Sequence, residues 1–157
     1  YTIANTTIMT AEGFAIHSHR MRQHMSEISY LTRHRIALGA FISGEAYIKA
    51  QKARRKLTED TRQIMEANGL DLLCYPAMLG DPPKLEDMTP YYYLDLPLIT
   101  APANLTGMPA SSVRAGFSKA NMPMAFQLSG RHFDDGKVLQ AAHAYEIATP
   151  DFAKIVE

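Results

Sequence analysis

The sequence predicts an α/β fold with a helical first half, and three observations carry that expectation. All nine prolines lie between Pro76 and Pro150, so the first half is free of the residue that costs about 3 kcal/mol inside a helix. The apolar run Leu70-Asp-Leu-Leu-Cys-Tyr75, bounded by Gly69 and Pro76, comes next and reads as a strand buried on both faces of a sheet. Two further apolar segments, 111–115 and 124–129, flank the turn-rich Gly116-Phe-Ser-Lys-Ala-Asn121 and read as a strand pair, with Pro123 at a strand start where its missing donor is tolerated.

Taken in order, Thr10 reads as an N-cap with Glu12 in the first turn, and Ala11 to about Tyr30 carries Phe14, Met21, Met25 and Ile28 at helical separations. Ser43 caps a longer helix in which Ala46, Ala50, Ala53, Leu57, Thr61, Ile64 and Met65 recur at steps of three and four. Asn68-Gly69 ends it, because glycine takes the left-handed position beyond a helix cheaply. Residues 76–109 hold seven prolines and Tyr91-Tyr92-Tyr93, a composition that opposes regular structure over most of that length. A loop that long is more often functional than idle. Asp134 or Asp135 caps a last helix striped by Val138, Leu139, Ala141, Ala142 and Tyr145, stopped by Thr149-Pro150.

A length of 157 residues fits one domain rather than two. Sixteen Lys and Arg balance sixteen Asp and Glu, which removes the long-range field of a dedicated nucleic-acid or anionic-membrane binder. Cys74 is the single cysteine, so no intrachain disulfide and no paired-cysteine zinc site is possible, which fits a reducing, cytoplasmic setting. No apolar stretch reaches the length of a membrane span, and the N-terminus lacks a signal-peptide layout. The chain opens on Tyr1 within a polar, β-branched run, consistent with a piece of something longer or with a processed start.

No serine sits in a Gly-x-Ser-x-Gly elbow and none has lysine three residues on, so a self-contained nucleophilic site is not visible. His17, His19 and His24 fall within eight residues, but His19 points away from His17 on a helix and the His-Glu-x-x-His spacing is absent. No metal site is expected; satisfied or exposed histidines are the better reading, and the same holds for His132 and His143. Lys49, Lys52, Arg54, Arg55 and Lys56 spread around the helix outside its apolar stripe and read as a solvated face. Cys74 reads as inert packing within its strand.

More specific than any of these is the ordered string Asn104-Leu-Thr-Gly-Met-Pro-Ala110, Ser112-Val113-x-x-Gly116, Met122-Pro-x-x-x-Gln127-Leu-x-Gly-Arg131, Phe133-Asp134 and Ala141-Ala-His-Ala-Tyr-Glu146. Arg33-His-Arg-Ile-Ala-Leu-Gly39, Tyr47-x-x-Ala50 with Arg54, and Leu70-Asp-Leu-Leu-x-x-Pro76 precede it. Together they resemble the C-terminal part of the amidase signature family. The resemblance implies an α/β/α fold around a mixed central sheet, amide hydrolysis without a cofactor, and a catalytic Ser, cis-Ser and Lys located upstream of anything in this chain. It thus implies a partial amidase domain over 1–157, with no catalytic residues of its own. Departures are Arg114 where the family usually has proline and Ala125 where it usually has glycine.

By position the resemblance makes Arg35 a candidate for holding a substrate carboxylate and Asp95, about two residues out of register, a weaker candidate for a substrate amino group. Residues 97–105 and the tyrosines before them are expected to border the pocket and to suit an apolar or aromatic amide. The partners implied are a small-molecule amide in the full-length enzyme and either a second copy of the chain or the missing N-terminal part. Nucleic acid and membrane are not expected. A glutamine-dependent aminoacyl-tRNA amidotransferase A subunit is the alternative within the family, and a metal- or nucleic-acid-binding helical module the alternative outside it.

Overall fold

Helix α1 spans Thr2–Gln23 in the computed structural model, which describes residues 1–89, 91–92 and 98–150. It begins well before the expected start at Ala11. Thr10 is therefore no N-cap: it is 4% exposed, and its hydroxyl donates to the Thr6 carbonyl at 2.7 Å, one turn back. Burial of Ala4 and Ile8 on one face outweighs the few tenths of a kcal/mol per residue that the β-branched run lacks in helix propensity. The helix also ends earlier than Tyr30, at His24, and a 3-10 turn over Met25–Glu27 leads to Ser29, whose Oγ caps a separate helix α2, Tyr30–Ala37. A second 3-10 turn, Leu38–Phe41, follows.

Helix α3, Gly44–Ala67, matches its expectation at both ends. Ser43 Oγ accepts from the Ala46 N–H at 3.1 Å. At the far end Gly69 adopts φ +61, its N–H reaches the Glu66 carbonyl and the Leu70 N–H reaches the Met65 carbonyl, the paired closure that a left-handed residue permits. Ala50, Thr61 and Met65 are the fully buried members of the anticipated stripe.

Two compact units divide the chain: Tyr1–Leu57 with Pro83–Leu98, and Thr58–Pro82 with Ile99–Glu157. The first consists of α1, α2 and the front of α3. The second holds the sheet, β1 (Leu72–Pro76), β2 (Ala110–Phe117) and β3 (Pro123–Gly130), in the order β1-β3-β2 with both pairings antiparallel. Pro123 does open β3, and the β2–β3 connection turns through Asn121 at φ +59. The proline-rich segment before the sheet's hairpin contains a 3-10 turn, Leu85–Asp87, and helix α4, Ala101–Thr106, begun by Pro102 in its first turn and closed by Gly107 at φ +78. Helix α5, Asp135–Ala148, lays Val138 and Ala142 on Val113 and Leu128, with Leu72, Phe126, Ala141 and Tyr145 around them. The Phe126 and Tyr145 rings meet edge to face at 4.8 Å. A Cβ at Gly130 would lie 2.6 Å from Val138 Cγ2, so glycine lets this helix approach the sheet.

Several expectations need correction. The Leu70–Tyr75 run is not buried on both faces: β1 is an edge strand paired only with β3 among the described residues, and Cys74 is exposed rather than packed. Leu139 faces solvent at 63% exposure, outside the α5 stripe. Asp134 occupies the N-cap position but makes no side-chain cap; its carboxylate pairs with Lys137 at 3.2 Å, and Lys137 also reaches Asp71 at 2.8 Å. No helix among the described residues is long and apolar enough to cross a membrane.

Candidate functional site

Arg35 lies on the wall of a cleft of about 320 Å³ in the first unit. Met9, Thr10, Gly13 and His17 of α1 line one side, and Thr32, Arg35 and Ile36 of α2 line the other. On α1 these positions recur at one-turn spacing, and on α2 likewise, so each helix presents one ridge to the gap. What sets the two helices this close is Gly39: a Cβ there would stand 2.0 Å from the Thr10 carbonyl oxygen and 2.5 Å from Phe14 Cβ. Backbone thus meets backbone just beyond the end of α2, one turn past Arg35. A second tie holds α1 to the front of α3, where the Tyr47 hydroxyl donates to Glu12 Oε1 at 2.7 Å and Gln51 Nε2 donates to the Tyr47 oxygen at 2.8 Å.

The cleft combines a guanidinium, an imidazole, the Thr32 hydroxyl and the aliphatic Met9 and Ile36. That set suits an organic anion: the planar fork of arginine matches a carboxylate bidentately, and the apolar walls take its carbon skeleton. The Thr10 hydroxyl is spent on the Thr6 carbonyl and gives shape rather than polarity.

Asp95, with Tyr93 and Pro97, lies outside the described residues. Tyr91 is described and half-exposed, its ring edge-on to His34 at 6.3 Å, while His34 packs on Tyr30 at 4.2 Å and the Arg33 guanidinium lies over the Tyr30 ring at 5.4 Å. His24 bonds Glu27 at 2.9 Å, His19 and His143 are exposed, and among the described residues no three His, Cys, Asp or Glu side chains converge as metal ligands would. Lys49 is paired with Glu45 at 2.7 Å on an exposed helix face. Farther along α3, Arg62 bridges Glu59 and Glu66; hydrogen bonds from Arg62 and then Gln63 hold the Glu59 carboxyl down at about 2. That group is exposed and belongs to a surface ion network, not to a reactive centre.

Residue-by-residue reasoning missed His17, Thr32 and Gly39 as parts of this arrangement. The 9, 13, 17 spacing on α1 is the available signal, and a helix start placed at Ala11 instead of Thr2 hides it.

Comparison with known proteins places these features in one family. The amidase family profile matches residues 5–139. The A subunit of the glutamyl-tRNA(Gln) amidotransferase from Pseudothermotoga lettingae is 40% identical over 126 residues, covering 75% of this chain and 26% of its own length. The chain therefore spans about a quarter of the curated relatives it matches. Among solved structures, a 6-aminohexanoate cyclic dimer hydrolase superposes with TM-score 0.77 at 19% identity, covering 98% of this chain and 36% of the other. The A subunit of the Thermotoga maritima glutamyl-tRNA(Gln) amidotransferase superposes with TM-score 0.58 at 30% identity over 90% of this chain and 32% of the other.

Proposed function

The chain belongs to the amidase signature family, and from that premise we propose that it forms substrate-pocket walls of an enzyme that hydrolyses carboxamides through a Ser, cis-Ser and Lys outside these residues. The observation that carries the reading is Arg35 on the wall of an apolar-sided cleft, at the position where the family resemblance calls for a carboxylate-holding arginine. Asp95 takes the weaker part of holding a substrate amino group. No cofactor is required, since amide hydrolysis by an activated serine needs only proton transfer and oxyanion stabilisation.

The decisive measurement uses the full-length enzyme that contains this chain. On an amide bearing a carboxylate, Arg35→Ala is expected to lower kcat/KM by about 30- to 1,000-fold, the equivalent of about 2 to 4 kcal/mol for removing one partner of a desolvated charge pair. An amide of similar size without the carboxylate should be hydrolysed by wild type and variant alike. Equal kcat/KM on the carboxylate-bearing amide would return Arg35 to an ordinary surface role.

A companion expectation concerns the 157-residue chain by itself, which should hydrolyse simple amides no faster than buffer and leave a fluorophosphonate probe unreacted. Stoichiometric labelling of any of its serines would overturn the assignment of the nucleophile to residues outside it.

The second reading, part of a glutamine-dependent amidotransferase A subunit, is favoured by the names of the sequence relatives, at 35–40% identity. Glutamine as the best substrate, with ammonia released and both Arg35 and Asp95 required, would select it over a general amidase.

A further inference from the structure

The second unit contains a cavity of about 180 Å³ that shares no lining residue with the Arg35 cleft. Arg62, Met65 and Glu66 come from the last turns of α3, Met108 follows the Gly107 turn, and Arg131 and His132 follow β3. We propose that this cavity binds a short-chain aliphatic carboxylate, its charged end on the edge of the Arg131 guanidinium that the Leu70 carbonyl leaves open and its alkyl chain on Met65 and Met108.

The Arg131 and His132 side chains are both fixed before any ligand arrives. Arg131 Nε and Nη2 donate to the Leu70 carbonyl at 3.0 and 2.8 Å, which ties the guanidinium to the residue that closes α3. His132 Nε2 lies 2.8 Å from the Thr106 carbonyl oxygen. A carbonyl only accepts, so Nε2 carries the hydrogen and the ring orientation is set from α4. Such pre-ordering removes the side-chain entropy that a flexible surface arginine loses on binding. Phe133, next in the chain, sits at φ +64 and is 97% exposed; a left-handed backbone at a bulky residue costs on the order of 1–3 kcal/mol and persists where the surroundings hold it. The turn thus fixes Arg131 and His132 at the end of β3 immediately before the chain enters α5.

Charge and size select the ligand. Arg62 is taken up by Glu66 and, outside the lining, by Glu59, so Arg131 is the lining cation left to meet an anion. One cation suits a monoanion; a dianionic phosphate would leave a charge uncompensated against two buried thioethers, Met65 at 2% and Met108 at 7% exposure. With about 30 Å³ per water, the volume equals roughly six waters, the size of propionate or butyrate.

The test is titration of the 157-residue chain with sodium butyrate at constant ionic strength, observing the Met65 and Met108 methyl resonances and the His132 ring by NMR. Saturable shifts with a millimolar dissociation constant are expected, with sodium phosphate producing neither those shifts nor competition. Met108→Phe fills the cavity while leaving the Arg131 and His132 hydrogen bonds in place, and should weaken butyrate at least tenfold. Arg131→Lys retains the charge without the fork and should weaken it severalfold, while Glu66→Gln should not weaken it. Absence of saturation by about 50 mM, the same shifts with butylamine, equal competition by phosphate, or undiminished binding in Met108→Phe would each overturn the proposal. None of these readouts depends on amide hydrolysis, so the outcome is separable from that of the Arg35 experiment.

Discussion

Gly39→Ala should destabilise the chain by about 3 kcal/mol or more, and the loss should travel with loss of the Arg35 cleft. The added methyl would lie 2.0 Å from the Thr10 carbonyl oxygen and 2.5 Å from Phe14 Cβ, so the obstruction is backbone and cannot rotate away. Relief requires the end of α2 and its 3-10 extension to move off α1 by more than ~1 Å, since a carbon and an oxygen rest at about 3.5 Å or slightly less. Overpacking a close contact costs about 1–3 kcal/mol where side chains can adjust, and here they are not what blocks the methyl. Gly13→Ala supplies the contrast. Gly13 is inside α1, and a Cβ added there would meet nothing within 4 Å, so alanine should stabilise the helix by roughly 0.5–1 kcal/mol while narrowing the same cleft. Urea melts of the two variants at matched concentration should move in opposite directions. A Gly39→Ala midpoint equal to wild type would mean that α2 is not held by this contact.

The same pair of positions shows what the sequence could and could not disclose. Helix α3 was legible because its cap, stripe and stop are all local: Ser43, the three-and-four spacing through Met65, and Gly69 at φ +61. The β2–β3 hairpin was legible for a similar reason, its proline and its turn residues being tied to particular backbone conformations. The start of α1 was hidden because Thr2–Ile8 reads locally against helix, and only burial of Ala4 and Ile8 by distant residues decides it. Helix α2 has eight residues and none fully buried, so no apolar stripe announces it.

Strand β1 failed differently. An apolar run specifies a strand but not its place in a sheet, and a central or an edge position depends on which other strands pair with it. The candidate site divides the same way: Arg35 was reached through family resemblance, whereas the grouping of Arg35 with His17 and Thr32 exists only once α1 and α2 are placed side by side.

The edge position of β1 leads to the remaining expectation, that the 157-residue chain self-associates through that strand. Within the described sheet β1 is paired on one side only, and an edge of unpaired N–H and C=O groups recruits another strand. Five residues, Leu72–Pro76, make the strand, and Cys74 is its midpoint. A two-fold antiparallel pairing of β1 with β1 from a second copy, centred on that midpoint, sets Leu72 opposite Pro76, Leu73 opposite Tyr75, and Cys74 opposite Cys74. Directly opposed residues have Cα atoms about 4.5–5.5 Å apart, inside the range of about 4.4–6.8 Å that a disulfide spans. Exposure of Cys74 makes its thiol available for that reaction. Sedimentation equilibrium at tens of micromolar should therefore show a dimer, and mild oxidation should convert it to a covalent dimer that Cys74→Ser abolishes without abolishing the noncovalent association. Cys74→Pro, which removes an outward-facing edge donor and leaves the β3 pairing in place, should yield monomer. A compact monomer with no ANS binding and a sharp cooperative melt would show instead that β1 is covered within the chain, and a dimer that oxidation leaves uncrosslinked would exclude pairing centred on Cys74.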